Sequence, residues 1–132
     1  MAAVAAPGER VGVERMTYPV AKVKLARLGL RAVPLAMDEY GIVPDAISET
    51  LRHGPLRGIY MQPTLHNPLG ITMPEARRAE IAVLLERHDT VPIEYMVSPF
   101  FHASAPPPIA VPAPPPSTLL ASPPRPWPLA AV

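Results

Sequence analysis

The chain has 132 residues, a net charge of +1 and no cysteine. It has room for one domain of ordinary size and excludes disulfides, thiolate metal sites and cysteine nucleophiles. The near-neutral charge gives no argument for nucleic acid or for an acidic partner, and no run of residues is apolar and unbroken enough to span a bilayer, so the expectation is a cytoplasmic protein with no membrane segment.

Arg10–Thr17 reads as a strand in which Val11 and Val13 alternate with Gly12 and Glu14. Tyr18-Pro19 opens a helix in which Val20, Val23, Ala26 and Arg27 mark one side and Ala21, Leu25 and Leu28 widen the apolar face, and Gly29 is a natural stop. Leu30–Leu35 is a second strand, which Pro34 demotes toward an edge. Met37–Val43 is a turn-rich connection, and Pro44–His53 is a helix with Ala46, Ile47 and Leu51 inward. Gly58–Met61 is a short buried strand ended by Pro63 and Thr64, and Asn67-Pro68-Leu69-Gly70 is a turn. Thr72-Met73-Pro74-Glu75 fits a capping box for the helix Met73–His88. Ile81, Leu84, Leu85 and His88 form its apolar stripe, with Arg77, Arg78, Glu80 and Arg87 on the wet side. Val91–Val97 is a fourth strand. Strands alternating with helices imply an α/β fold with a parallel sheet.

The composition then changes. Twelve of the 21 prolines lie in the 37 residues from Met96 onward, and no acidic residue follows Glu94. Two units are expected: residues 1–97, the α/β part, and residues 98–132, a proline-rich tail whose default state is polyproline II or disorder.

In a parallel sheet, Tyr18, Asp38 and Asn67 follow three strands and share one rim, where open α/β sheets bind ligands. An aromatic face and a side-chain amide on one rim suit a planar cofactor, although each also reads as an ordinary strand-end tyrosine and turn asparagine. His53, His66, His88 and His102 show no metal-ligand spacing; His66, next to Asn67, reads either as a residue facing a substrate or, more simply, as a solvated loop histidine. No catalytic residue and no metal site is assigned.

Val13–Pro19, Gly29–Leu35, Asp38–Ile42, Tyr60–Met73 and Arg77-Arg78 followed by Ile81–Glu94 resemble, in unbroken order, blocks of the fold-type-I pyridoxal-phosphate-dependent aminotransferases. The likeness is to class I/II and to the aminotransferase-like domains of MocR/GntR-type regulators. It implies part of the large domain of such a transferase, with pyridoxal 5'-phosphate as cofactor, an amino acid and a 2-oxo acid as substrates, and homodimers among full-length relatives. Tyr18 matches the aromatic that stacks on the cofactor ring, and Asn67 matches the asparagine that bonds the ring hydroxyl oxygen. Met16 stands where the family usually has proline. The lysine that holds the cofactor and the aspartate that pairs with its ring nitrogen have no match: Glu94-Tyr95-Met96-Val97 occupies the place of the acidic block, and no lysine follows Lys24. The glycine-rich phosphate segment and the regulators' helix-turn-helix have no match either. The expectation is a gene fragment not competent for turnover alone, its continuation replaced by an out-of-frame tail. The alternatives are an effector-binding domain of a MocR-type regulator and a proline-rich interaction protein that serves SH3- or WW-type modules.

Overall fold

The protein is described from a computed structural model. It covers residues 4–96, 106–109 and, as backbone, 118–121. In chain order the elements are β1 (Arg10–Glu14), α1 (Pro19–Arg27), β2 (Arg31–Leu35), β3 (Met37–Asp38), β4 (Gly41–Ile42), α2 (Pro44–Arg52), β5 (Gly58–Met61), α3 (Glu75–Arg87), β6 (Val91–Met96) and β7 (Thr118–Ala121). Five strands form one sheet in the order β2-β1-β5-β6-β7. Every pairing in it is parallel. The expected α/β class with a parallel sheet is what the chain adopts.

Side chains leave a strand alternately to its two faces. Val11 and Val13 of β1 join Tyr60 of β5 and Ile93 of β6 in a core closed by Ala21 and Leu25 of α1. On the other face, Leu35, Ile59 and Met61 pack with Ile47 of α2 and with Ile81 and Leu85 of α3. Gly12 points to that second face, where a Cβ would stand 2.9 Å from Leu35 Cδ1 and 3.0 Å from Ile59 Cγ1. Its missing side chain lets β2 and β5 side chains close over β1. Pro34 lies in β2, the edge strand, where a proline costs no second ladder. Gly29, at φ +70, ends α1 as its residue type suggests.

The structure departs from the sequence reading in several places. Val20 and Val23, read as marking one side of α1, are exposed, and the helix turns Ala21 and Leu25 to the core instead. Residues 37–43 are more than a connection: β3 and β4 pair antiparallel, Met37 with Ile42 and Asp38 with Gly41. The capping box is not made. Helix α3 starts at Glu75 with Pro74 as an extended N-cap, and the Thr72 hydroxyl accepts the Leu65 N–H at 3.2 Å instead. Arg78 is not on the wet side but 3 % exposed. Its guanidinium donates to Met73 O (2.9 Å), Pro63 O (2.8 Å) and Thr64 Oγ1 (2.9 Å), so fixed acceptors replace water.

A further departure is in the proline-rich segment. Pro106 O and Pro107 O also accept from Arg78, and Ile109, 1 % exposed, completes the α2/α3 core. Thr118–Ala121 pairs with Ile93–Met96 as a fifth strand. It lies in a six-residue stretch without proline, Ser117–Ser122, so each of its residues keeps a donor for the ladder. The rest of the expected disordered tail lies outside the described residues. Among the described residues no helix is long and apolar enough to cross a membrane.

Candidate functional site

Strands β1 and β5 are neighbours and parallel, with Val11 opposite Gly58 and Val13 opposite Tyr60. Their carboxyl ends therefore open on one rim. Beyond β1, Tyr18 is the N-cap residue of α1 and is 40 % exposed. Beyond β5, Asn67 is exposed, and the Asn67–Pro68 peptide bond is cis. Tyr18 and Asn67 thus flank adjacent strands at the same end of the sheet. Neither ring nor amide is consumed by the core.

The segment between Met61 and Glu75 is held tightly for a loop. Leu65 has φ +48, an unfavourable conformation for a branched side chain, and its N–H is tied to Thr72 Oγ1. The His66 N–H donates to Ile71 O at 2.9 Å, and the Met73 N–H donates to Pro63 O at 2.7 Å. Asn67 N–H donates to Gln62 Oε1 at 3.2 Å. Below the loop lies a carboxylate that sequence reasoning passed over. Glu14, the last residue of β1, is 1 % exposed and accepts the Gln62 N–H through Oε1 at 3.1 Å. Its Oε2 lies 3.0 Å from His66 Nε2, ion-pair distance, though the angles are not those of a linear hydrogen bond. His66 is 2 % exposed, so it is not a solvated loop histidine. The available signal was the sheet itself: a parallel strand covered on both faces leaves a glutamate within it nowhere to reach water.

Asp38, the third rim residue, is engaged elsewhere. Arg77 binds it with two hydrogen bonds, Nη1 to Oδ1 at 3.1 Å and Nη2 to Oδ2 at 2.9 Å, and also donates to Ile42 O. Those hydrogen bonds hold the Asp38 carboxyl below its ordinary range. The guanidinium also lies over the Tyr40 ring, 5.8 Å from its centre. This cluster braces the β3–β4 hairpin against α3 and leaves Asp38 no free charge for a ligand.

Gln62 Nε2, just past β5, and Thr17 Oγ1, just past β1, are buried at the shared rim with no hydrogen-bond partner among the described residues. Orphaned groups of this kind are costly unless something binds them. With Tyr18 and Asn67 they make a set suited to a flat, polar-edged molecule. No lysine joins the set, because Lys22 and Lys24 stand exposed on α1. A separate cavity of about 390 Å³, lined by Gly8, Arg10, Arg57 and His88 among others, opens at the amino end of the same strands. No group of acidic and histidine residues among the described residues is placed to hold a metal.

An open parallel sheet with helices on both faces, and loops gathered at its carboxyl rim, defines an open α/β domain, the architecture whose ligand sites lie at that rim. No protein-family model matches the chain. Curated relatives do. The HTH-type transcriptional regulator YjiR of Escherichia coli K12 is 37% identical over 93 residues, which are 70% of this chain and 20% of the regulator. Aminotransferase swnA of Metarhizium robertsii is 38% identical over 94 residues, 66% of this chain and 19% of the enzyme. Among solved structures, kynurenine aminotransferase of Pyrococcus horikoshii, crystallised with PMP, superposes with a TM-score of 0.68 at 26% identity. That match covers 72% of this chain and 25% of the enzyme. The proteins it matches are fold-type-I aminotransferases and MocR/GntR-type regulators, and the chain is similar to one stretch of them. It spans about a fifth of the length of the curated relatives it matches, and so corresponds to a segment of such a protein.

Proposed function

We infer that this chain is the part of a pyridoxal-phosphate-dependent aminotransferase domain that holds one face and one edge of the cofactor. Tyr18 lies against the ring, the Asn67 amide donates to the ring hydroxyl oxygen, and Gln62 Nε2 and Thr17 Oγ1 supply further polar contacts. The bound cofactor would serve as the electron sink for moving an amino group between an amino acid and a 2-oxo acid. The supporting observation is the adjacency of β1 and β5, which sets residues 49 positions apart in sequence, Tyr18 and Asn67, on one rim. This stretch alone carries no rim lysine, so binding is reversible and turnover absent. Residues 1–97 act as the domain segment, and residues 98–132 are not required for the contacts named.

Titration with pyridoxal phosphate, followed by its absorbance and fluorescence, tests this reading. Saturable binding is expected, about tenfold weaker in Asn67→Ala and in Tyr18→Ala, as for the loss of one good contact. Binding that survives both changes and disappears only with Lys22→Ala and Lys24→Ala contradicts it. The similarity to YjiR supports a second reading, an aminotransferase-like domain that binds cofactor or an amino compound as an effector. A helix-turn-helix encoded upstream in the same frame favours that reading over the enzyme.

A further inference from the structure

We propose that Glu14 and His66 form a buried carboxylate–imidazole dyad that sets the loop carrying Asn67, which makes Glu14 a positioning residue for the rim. The proposal rests on the cofactor reading above. One carboxylate at the end of β1 faces two residues after β5: its Oε1 takes the Gln62 N–H at 3.1 Å, and its Oε2 lies 3.0 Å from His66 Nε2. On the far side of the imidazole, Nδ1 accepts the Leu69 N–H in a long contact of 3.4 Å. An Nδ1 that accepts carries no proton, so the ring proton sits on Nε2, the atom 3.0 Å from Glu14 Oε2. The same loop closes on itself through Gln62 Oε1, which takes the Asn67 N–H at 3.2 Å. Asn67 is thereby bracketed. Gln62 holds its backbone N–H from one side, His66 precedes it and Leu69 follows it, and Glu14 touches both Gln62 and His66.

Packing does not call for this carboxylate. Glu14 and His66 are each almost fully buried, and well-packed apolar residues in their place would spare the desolvation of both. Apolar residues would not, however, orient the backbone at 62 and the ring at 66 together. The loop needs such orientation, because Leu65 is held left-handed and the exposed Asn67 has no packing of its own to fix it.

The test uses the full chain and the Glu14→Gln variant. Long-range nitrogen–proton NMR reads the His66 tautomer. The expected form is Nε2–H in the parent, with a shift toward Nδ1–H in Glu14→Gln, whose amide can donate to the ring. In pyridoxal phosphate titrations, Glu14→Gln should weaken binding about fivefold when Asn67 is present. It should have no further effect in Asn67→Ala, although the drop in melting temperature is the same in both backgrounds. A merely structural glutamate would weaken binding equally in both backgrounds, which overturns the proposal. An Nδ1–H tautomer in the parent overturns it as well. If the parent takes up no pyridoxal phosphate, the cofactor reading fails, and the tautomer still decides the dyad.

Discussion

Tyr60 shows how placement of a single residue governs its chemistry. It lies on the α1-facing side of a four-residue strand buried on both sides, and its ring stacks on Tyr95 with centres 6.4 Å apart. Burial pushes its phenol well above the ordinary range, and the nearby Tyr95 and Glu14 add to the shift. A raised folded-state value means that the folded chain keeps a proton the unfolded chain loses near pH ~10. Stability from this source is complete below about pH 10 and declines as pH rises further. Of the four tyrosines, Tyr60 is expected to ionise only as the chain unfolds, seen as an absorbance step that coincides with loss of circular dichroism. Tyr60→Phe should move that unfolding to higher pH. Ionisation of all four tyrosines before any loss of structure contradicts this.

At the scale of elements, helix α3 and the segments around it depend on Arg78. Its guanidinium joins the exit of β5, the entrance of α3 and the carbonyls of Pro106 and Pro107. Desolvation pulls its affinity for the proton down, and Glu94 and Glu75 push it back up. Arg78→Met leaves several buried acceptors unpaired and should lower unfolding stability by about 3 kcal/mol in urea titrations. Arg78→Lys should recover only part of that loss, because an ammonium cannot spread its donors as a guanidinium does. Ile109→Ala should cost about 3 kcal/mol by opening a cavity in the α2/α3 core. An Ile109→Ala chain as stable as the parent would mean that the proline-rich segment is not docked. Legibility followed from what each feature depends on. The strands and helices up to β6, apart from the β3–β4 hairpin, were readable because alternation, helical spacing and Gly or Pro punctuation are local signals. Arg78 was not, because helical spacing placed it beside Arg77 on a charged face, and only the carbonyls gathered by the fold explain its burial. Strand β7 was hidden by the prolines around Ser117–Ser122, and the burial of Glu14 and His66 depends on two strands meeting far apart in sequence.

For the whole molecule, topology converts the sequence blocks into a site. Two crossovers, one through α1 and one from β5 to β6 through α3, put helices on opposite faces of the sheet and leave the carboxyl rim to loops. The strand-end positions of Tyr18 and Asn67 were legible from residue pattern and family resemblance; the orphaned Gln62 and Thr17 atoms after the same two strands were not, since both read as ordinary loop-entry residues. The central claim is that these positions answer to one ligand. The most direct measurement is a set of amide NMR spectra recorded as pyridoxal phosphate is added to the full chain. The account predicts that Thr17, Tyr18, Gln62 and Asn67 shift together and saturate at one concentration, while Gly8, Arg10 and Arg57 at the amino end stay still. Shifts confined to that amino-end cavity, or to Lys22 and Lys24, would contradict it.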